Sequence, residues 1–233
     1  MNYFYNDDPE QFNYLNSEES HHCIKVLRKK KGDVIDVIDG NGHVFSCEII
    51  TDNFRKCAFN ILEKKVSSAN KPYSVHIAIA PTKNHDRLEW FVEKTAELGI
   101  NEVSFIVTKR SERKKINLER LDRKTLSALK QSKNLFKTKL NELTPLKSFL
   151  DATPNTNQKF IAFVDNQNPD YLHKIAQAGT NTLILIGPEG DFTEEEVALA
   201  LSKGFQKVSL GKSVLRTETA GVIACHSINL INE

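Results

Sequence analysis

From Val75 to the C-terminus, short apolar runs alternate with longer stretches of helical periodicity, and this alternation admits few folds. The runs are Val75–Ala80, Val103–Val107, Phe160–Val164, Thr182–Ile186 and Val208–Leu210. Between them lie predicted helices at Asp86–Leu98, around Leu118–Lys133, at Tyr171–Gln177, at Thr193–Ser202 and at Thr217–Ile231. The first has Leu88, Phe91, Val92 and Leu98 on one face and is stopped by Gly99; the fourth opens on a capping-box pattern, Thr193 with Glu196. Alternating strands and helices imply an α/β fold, a parallel sheet with helices on both faces.

The first 66 residues are patterned differently. Ser17 is a candidate cap for a helix with Glu18 and Glu19 in its first turn, running to about Lys30 and burying Cys23, Ile24, Val26 and Leu27. Strands follow at Val34–Ile38, His43–Ile50 and Lys56–Val66, the first two joined by the hairpin turn Asp39-Gly40-Asn41-Gly42. So many short strands in so short a segment predict a small β-barrel. The polar stretch from Ser67 to Pro72 marks the boundary, giving domains at 1–70 and 71–233.

No apolar run is long enough to span a membrane, and the segment MNYFYNDDPEQF lacks the basic and apolar regions of a secretory signal, so a cytoplasmic location is expected. Cys23, Cys47, Cys57 and Cys225 include no C-x-x-C pair and read as buried free thiols; His21 and His22 beside Cys23 lack a second ligand cluster, so no metal is expected. Charge is uneven: residues 109–147 carry 13 Lys/Arg against 4 Asp/Glu, within a chain of net charge only +2. Such a block is the footprint of a polyanion partner or a solvated helical face.

Two loops carry the chemistry. In Leu183–Phe192, LILIGPEGDF, an apolar strand ends at Gly187-Pro188, where Pro188 stops the ladder and Gly187 and Gly190 leave the backbone bare for a ligand. In Ser209–Gly221, SLGKSVLRTETAG, Gly211 again opens the backbone, and Arg216, Thr217, Glu218 and Thr219 set both charge signs and two hydroxyls side by side. The acidic residues Asp191, Glu194, Glu195 and Glu196 would repel a phosphate from the first loop. Neither a P-loop nor G-x-G-x-x-G is present. A phosphate-free cofactor with an adenine edge and a positive sulfonium fits better.

GPEGDF and LGKSVLRTETA, in that order, resemble the knotted, SPOUT-class methyltransferases, and within them the family that methylates N3 of a uridine in small-subunit (16S) ribosomal RNA. The stretches HHCIKVLRKKKGDVIDVIDGNG at 21–42, KNHDRLEWFVEKTAELG at 83–99 and ALKQS at 128–132 are similar to that family as well, so the resemblance spans nearly the whole chain. Three departures stand out. Asp191 replaces a common Gly and is expected to turn its side chain to solvent; Lys133 and Asn134 stand where many members have Arg; and Asn2 or Tyr3 replaces an N-terminal Arg.

The resemblance implies a PUA-like RNA-binding N-terminal domain, a C-terminal domain tied in a deep trefoil knot, and a homodimer. It implies S-adenosylmethionine held by Ile186, Gly187, Pro188, Glu189 and Gly190 and by Leu210, Gly211, Ser213, Val214, Leu215, Arg216, Thr217 and Glu218. Arg216 is the candidate to stabilise the anion formed at uracil N3; Glu218 or Glu189 would orient Arg216 or accept the proton; and a salt bridge from Arg216 to Glu218 that merely pins the fold is the structural alternative. The RNA, 16S rRNA within the small ribosomal subunit, would be met by Arg28, Lys29, Lys30 and Lys31 and by Arg110, Arg113, Lys114 and Lys115. Two other functions compete: an RNA-binding or ribosome-assembly protein with the same fold, told apart by cofactor binding, and a knotted methyltransferase of another RNA, told apart by the methylated nucleoside.

Overall fold

The computed structural model describes residues 3–67, 71–153, 158–164 and 170–233, so Asn2 and the linker positions Ser68–Asn70 lie outside the described residues. The chain divides into two compact units, Met1–Asn70 with Leu126–Lys137, and Lys71–Thr125 with Thr138–Glu233. Residues 126–137 thus leave the stretch that the sequence assigns to the second domain. The reason is backbone pairing: Gly42 N donates to Leu135 O at 2.9 Å and Lys137 N to Gly40 O at 2.8 Å.

The first unit holds strands β1 (Tyr3–Tyr5), β2 (Val34–Ile38), β3 (His43–Thr51) and β4 (Ala58–Val66) in one sheet, in that order. β1 runs parallel to β2, and the other pairs are antiparallel. No ladder joins β1 to β4 among the described residues, so the expected barrel is not closed by strands. The segment before the helix does that work instead. Tyr14 bridges Ala58, and the Asn6 amide, just past β1, donates to Phe12 O and Tyr14 O. Helix α1 (Ser17–His21) continues into a π turn, His22–Val26. Its cap is Asn16, not Ser17: the Asn16 side chain accepts from Glu19 N at 2.9 Å. The helix ends before Arg28, which takes φ 55°. Cys23 is buried, whereas Val26 is 57% exposed. All four cysteines are free and buried.

The second unit is a six-stranded sheet in the order β10-β8-β9-β5-β6-β7, every pair parallel. Its strands are β5 (Val75–Ile79), β6 (Glu102–Val107), β7 (Lys139–Pro145), β8 (Gln158–Ala162), β9 (Thr182–Ile186) and β10 (Gln206–Val208). β9 sits near the centre and is buried along its whole length. Ile184 and Ile186 face one apolar cluster, with α2 (His85–Glu97) and α7 (Thr217–Ile231); Leu183 and Leu185 face another, with α4 (Leu146–Ala152) and α6 (Glu194–Ser202). Alternation along a strand buried on both sides is what places helices on both faces. α6 has its capping box, Thr193 and Glu196 bonding reciprocally. α3 (Leu118–Ser132) carries the middle of the basic block, and α5 (Leu172–Ile175) is a single turn. Among the described residues no helix is long and apolar enough to cross a membrane.

α2 and α7 pack closely because Gly221 has no side chain. A Cβ there would stand 2.4 Å from Cε2 of Phe91 and 3.3 Å from Cδ1 of Ile79, both fully buried. At the far end of α7, Asn229 donates to Leu98 O at 2.7 Å and accepts from the Tyr73 hydroxyl at 3.1 Å. Gly221→Ala gains about 1 kcal/mol of helix propensity but overpacks a filled contact at about 1–3 kcal/mol. Denaturant unfolding should show a net loss of stability, and a stabilised variant would mean the two helices are not in this register.

Candidate active site

Three loops meet at the carboxyl ends of the central strands, where open parallel sheets bind their ligands. After β5, Ala80 N still donates to Ile186 O at 3.0 Å, and Lys83 N donates to Glu189 Oε1 at 3.0 Å. After β9, Gly187 bends where a Cβ would lie 3.0 Å from Asp191 Oδ1 and 3.1 Å from the Phe192 ring. After β10, the chain runs through Ser209, Leu210 and Gly211 to the cap of α7, Arg216. The buried Thr217 hydroxyl donates to Gly187 O at 3.0 Å and so ties the second loop to the third.

The thirteen residues named for the cofactor fall on these two loops, in different settings. Ile186 and Pro188 are buried, Gly187, Leu210 and Leu215 half-buried, and Glu189, Gly190, Gly211, Ser213, Val214 and Arg216 exposed. Thr217 and Glu218 are buried. Lys212, Ser213, Val214 and Leu215 make no hydrogen bond among the described residues, whereas Gly211 N is held by the Ser209 hydroxyl at 3.3 Å. Unengaged main-chain donors and acceptors in a formed loop suit a ligand read through the backbone, as an adenine edge is.

Beside this loop lies an open hollow of about 500 Å³ lined by Arg87, Trp90, Val214, Leu215, Arg216, Glu218 and Thr219. Neither candidate carboxylate orients Arg216, and no salt bridge joins Arg216 to Glu218. Glu189 turns to the Lys83 backbone, and Glu218 faces Arg87, with Nε 3.7 Å from Oε1. The physical reason is position: Arg216 is the exposed residue preceding α7, while Glu218 lies in its first turn on the side facing α2. Glu218 is 6% exposed, and its Oε2 has no hydrogen-bond partner. Arg87 and Trp90 escape a reading of periodicity, which assigns α2 by its core face of Leu88, Phe91 and Val92. The sign that could have found them is the single Trp placed off that face.

The basic candidates separate as well. Arg110 donates to Gly190 O at 2.7 Å and Phe192 O at 3.4 Å; Arg113 donates to Thr82 O at 3.0 Å and Lys83 O at 2.6 Å. Both are thus engaged in bracing the loops after β9 and β5, while Lys114 and Lys115 are exposed. In the first unit, Arg28, Lys30 and Lys31 are exposed in the turn before β2, and Lys29 Nζ reaches Val34 O at 3.4 Å.

Asp191 does not turn to solvent. It adopts φ 59°, a conformation glycine takes freely and aspartate tolerates. Its Oδ1 accepts from Phe192 N at 2.8 Å and its Oδ2 from Val164 N at 3.2 Å, joining the loop to the end of β8. Burial pushes its pKa above the usual carboxylate value, against the opposing pull of both amides and Arg110. A raised folded-state pKa means stability that is fully present below the unfolded value and is lost as pH rises through the folded one. The stability of the wild type relative to Asp191→Asn should therefore fall between acid and neutral pH; a constant difference across that range would show that Asp191 is not desolvated.

With this geometry in hand, comparison with known proteins is direct. The RNA methyltransferase domain model matches residues 69–229, and the RNA methyltransferase PUA domain model matches residues 8–62. The ribosomal RNA small subunit methyltransferase E of Mesomycoplasma hyopneumoniae is 30% identical over 228 residues, covering 94% of this chain and 95% of its own. That of Synechocystis sp. is 29% identical over 224 residues, covering 94% and 73%. A probable rRNA-methyltransferase from Porphyromonas gingivalis has a TM-score of 0.94 at 39% identity, covering 100% of this chain and 98% of its own. A ribosomal RNA small subunit methyltransferase E from Neisseria gonorrhoeae bound to S-adenosyl methionine has a TM-score of 0.86 at 25% identity, with coverage of 100% and 98%. The match over both units, and over the loops that form the hollow, places this chain in the RNA methyltransferase family that carries a PUA domain ahead of its catalytic one.

Proposed function

We propose that this protein transfers a methyl group from S-adenosylmethionine to N3 of a uridine in small-subunit (16S) ribosomal RNA. The observation that carries the reading is the pairing, in one hollow, of a buried carboxylate with a free oxygen and an exposed guanidinium without an internal acceptor. The names of the relatives supply the RNA, and the Neisseria structure supplies the cofactor. The bare backbone of 187–190 and 210–216 is the part of the chain that would hold that cofactor. When bound, S-adenosylmethionine supplies a methyl group on a sulfonium sulfur, which N3 takes as the sulfonium becomes a neutral thioether.

N3 lies on the pairing edge of uracil, so the base is met unpaired or turned out of its stack. Glu218, whose side chain lines the hollow, accepts the N3 proton. Glu189 is exposed and bonded to Lys83 N, and serves to hold the loop after β9. The charge left on the base spreads over its two carbonyl oxygens, and Arg216 donates to one of them. Lys114, Lys115 and the turn Arg28–Lys31 meet RNA phosphates, whereas Arg110 and Arg113 keep the loops in place.

The same reading takes the C-terminal path as a deep trefoil knot. The chain travels from β10 at one edge back past the end of central β9, where Thr217 holds Gly187, and α7 then packs on α2 and the middle strands. It also takes the working form as a homodimer in the cytoplasm. Trp90, Val214, Ile223 and Leu230 are 43%, 77%, 37% and 59% exposed on or beside α2 and α7, more apolar surface than a lone subunit needs there.

Purified protein, labelled S-adenosylmethionine and unmodified small ribosomal subunits should yield label in N3-methyluridine after digestion to nucleosides. Arg216→Ala should abolish labelling while cofactor binding persists. Label in another nucleoside would overturn the uridine assignment. Absence of both label and cofactor binding would favour an RNA-binding protein built on the same fold.

A further inference from the structure

Folded chains leave few polar groups without partners, and those left at the wall of a hollow point to a ligand. Around this hollow there are three that lack a hydrogen bond. The Arg216 guanidinium makes no hydrogen bond or ion pair among the described residues; only its carbonyl is engaged, accepting from Ala220 N at 2.8 Å. The Arg87 guanidinium is 3.7 Å from Glu218, an ion pair too long for a hydrogen bond, and makes no other polar contact among the described residues. Glu218 Oε2 is buried and unpartnered. Two of these groups can only donate, and the ionised carboxylate can only accept. Arg216 reaches the hollow from the cap of α7 and Arg87 from the first turn of α2; Glu218 faces α2 from the first turn of α7.

We infer that Arg87 is a substrate-binding residue which, with Glu218 and Arg216, forms a donor–acceptor–donor edge that reads the imide of uracil. The inference rests on the function proposed above and names how the base is chosen. The pairing edge of uracil offers an acceptor at O4, a donor at N3 and an acceptor at O2. Cytosine offers a donor, an acceptor and an acceptor; guanine an acceptor and two donors. Only the uracil pattern complements two guanidiniums and a carboxylate at all three points. The same arrangement serves the reaction. As the N3 proton passes to Glu218, negative charge builds on both O2 and O4, and each oxygen meets its own cation. With Arg216 alone, one oxygen would carry that charge unaided. A mismatched base leaves at least one of the three groups unpaired, and a base without the N3 proton strands the buried carboxylate, which is the costliest of them.

The test uses whole protein and unmodified small subunits, with turnover, cofactor affinity and methylated nucleoside measured together. Arg87→Met should lower turnover on the order of 10²–10³-fold, as loss of one charge-stabilising donor does, with cofactor affinity unchanged. Arg87→Lys, which still donates and still faces Glu218, should recover turnover to within about tenfold of wild type. The decisive measurement replaces oxygen by sulfur at O2 or at O4 of the target uridine in reconstituted subunits. At one of the two positions the exchange should change wild-type and Arg87→Met turnover by factors differing at least about fivefold, the coupling of groups in contact. Equal factors at both positions would overturn contact with the base and leave Arg87 as a partner of Glu218 alone. Full activity of Arg87→Met would overturn any role. Should wild-type protein methylate a nucleoside other than uridine, the function proposed above falls together with this inference, and the product itself distinguishes that outcome from a failure at Arg87.

Discussion

The Thr217 hydroxyl donates to the Gly187 carbonyl in a nearly dry position, and the placement of everything reactive follows from that contact. One partner belongs to the end of β9, a strand buried on both faces and therefore fixed by the sheet. The other is the first residue of α7. Joining them sets the start of the helix against the end of the strand, and two flanking residues then take opposite environments. Arg216, just before the helix, faces outward; Glu218, one residue after Thr217, is turned inward toward α2. Gly221, one turn further on, lets α7 settle against Phe91. Without the hydroxyl, a part-buried carbonyl would lose this partner at about 0.5–1.5 kcal/mol, and the geometry of both charged groups would loosen with it.

The basic block is two things in one composition. Arg110 and Arg113 donate to carbonyls of the loops beside the site; Arg120 and Lys124 converge on Glu89; Lys130 pairs with Glu19; Lys139 pairs with Glu102. These cations build the fold. Lys114 and Lys115 remain exposed. Net charge therefore overstates what is available to a polyanion, since a cation already bonded to a carbonyl or carboxylate must give up that bond to meet a phosphate.

The alternation of apolar runs and helices made the parallel sheet legible, and most of its strands and helices fall within a few residues of where the periodicity puts them. β7 and α4 were not legible: Lys139–Pro145 lies at a sheet edge and mixes polar with apolar side chains, so it has neither period. β1 is three residues long and pairs with a strand far along the chain. The site was legible as two loops because Gly and Pro punctuate the backbone locally. Its polar partners were not, because Arg87 and Glu218 meet only when α2 and α7 pack together. Asp191 shows the same limit. Its left-handed backbone suits the glycine it replaces, but nothing local says that its carboxylate will reach Val164, twenty-seven positions earlier in sequence.

Two buried glutamates with basic neighbours stand in different surroundings. Glu89 in α2 is 5% exposed and Glu218 in α7 is 6% exposed, so both carboxylates have lost most of their water. Glu89 is compensated by two cations of its own chain, Arg120 Nε at 2.5 Å and Lys124 Nζ at 3.6 Å, with His85 Nδ1 at 3.4 Å beside them. Its ion pairs tie α2 to α3, and removing the carboxylate would leave Arg120 and Lys124 without their partner. Glu218 has one cation, at 3.7 Å; each of the two glutamates also has one buried oxygen without a hydrogen bond. The difference is one of place: Glu218 lines the hollow beside Arg216, and Glu89 is not among the residues that line it. The hollow is walled by the start of α7, the loop before it and the first turns of α2, so under the proposed function the sparsely compensated Glu218 is the carboxylate that a base entering there would meet.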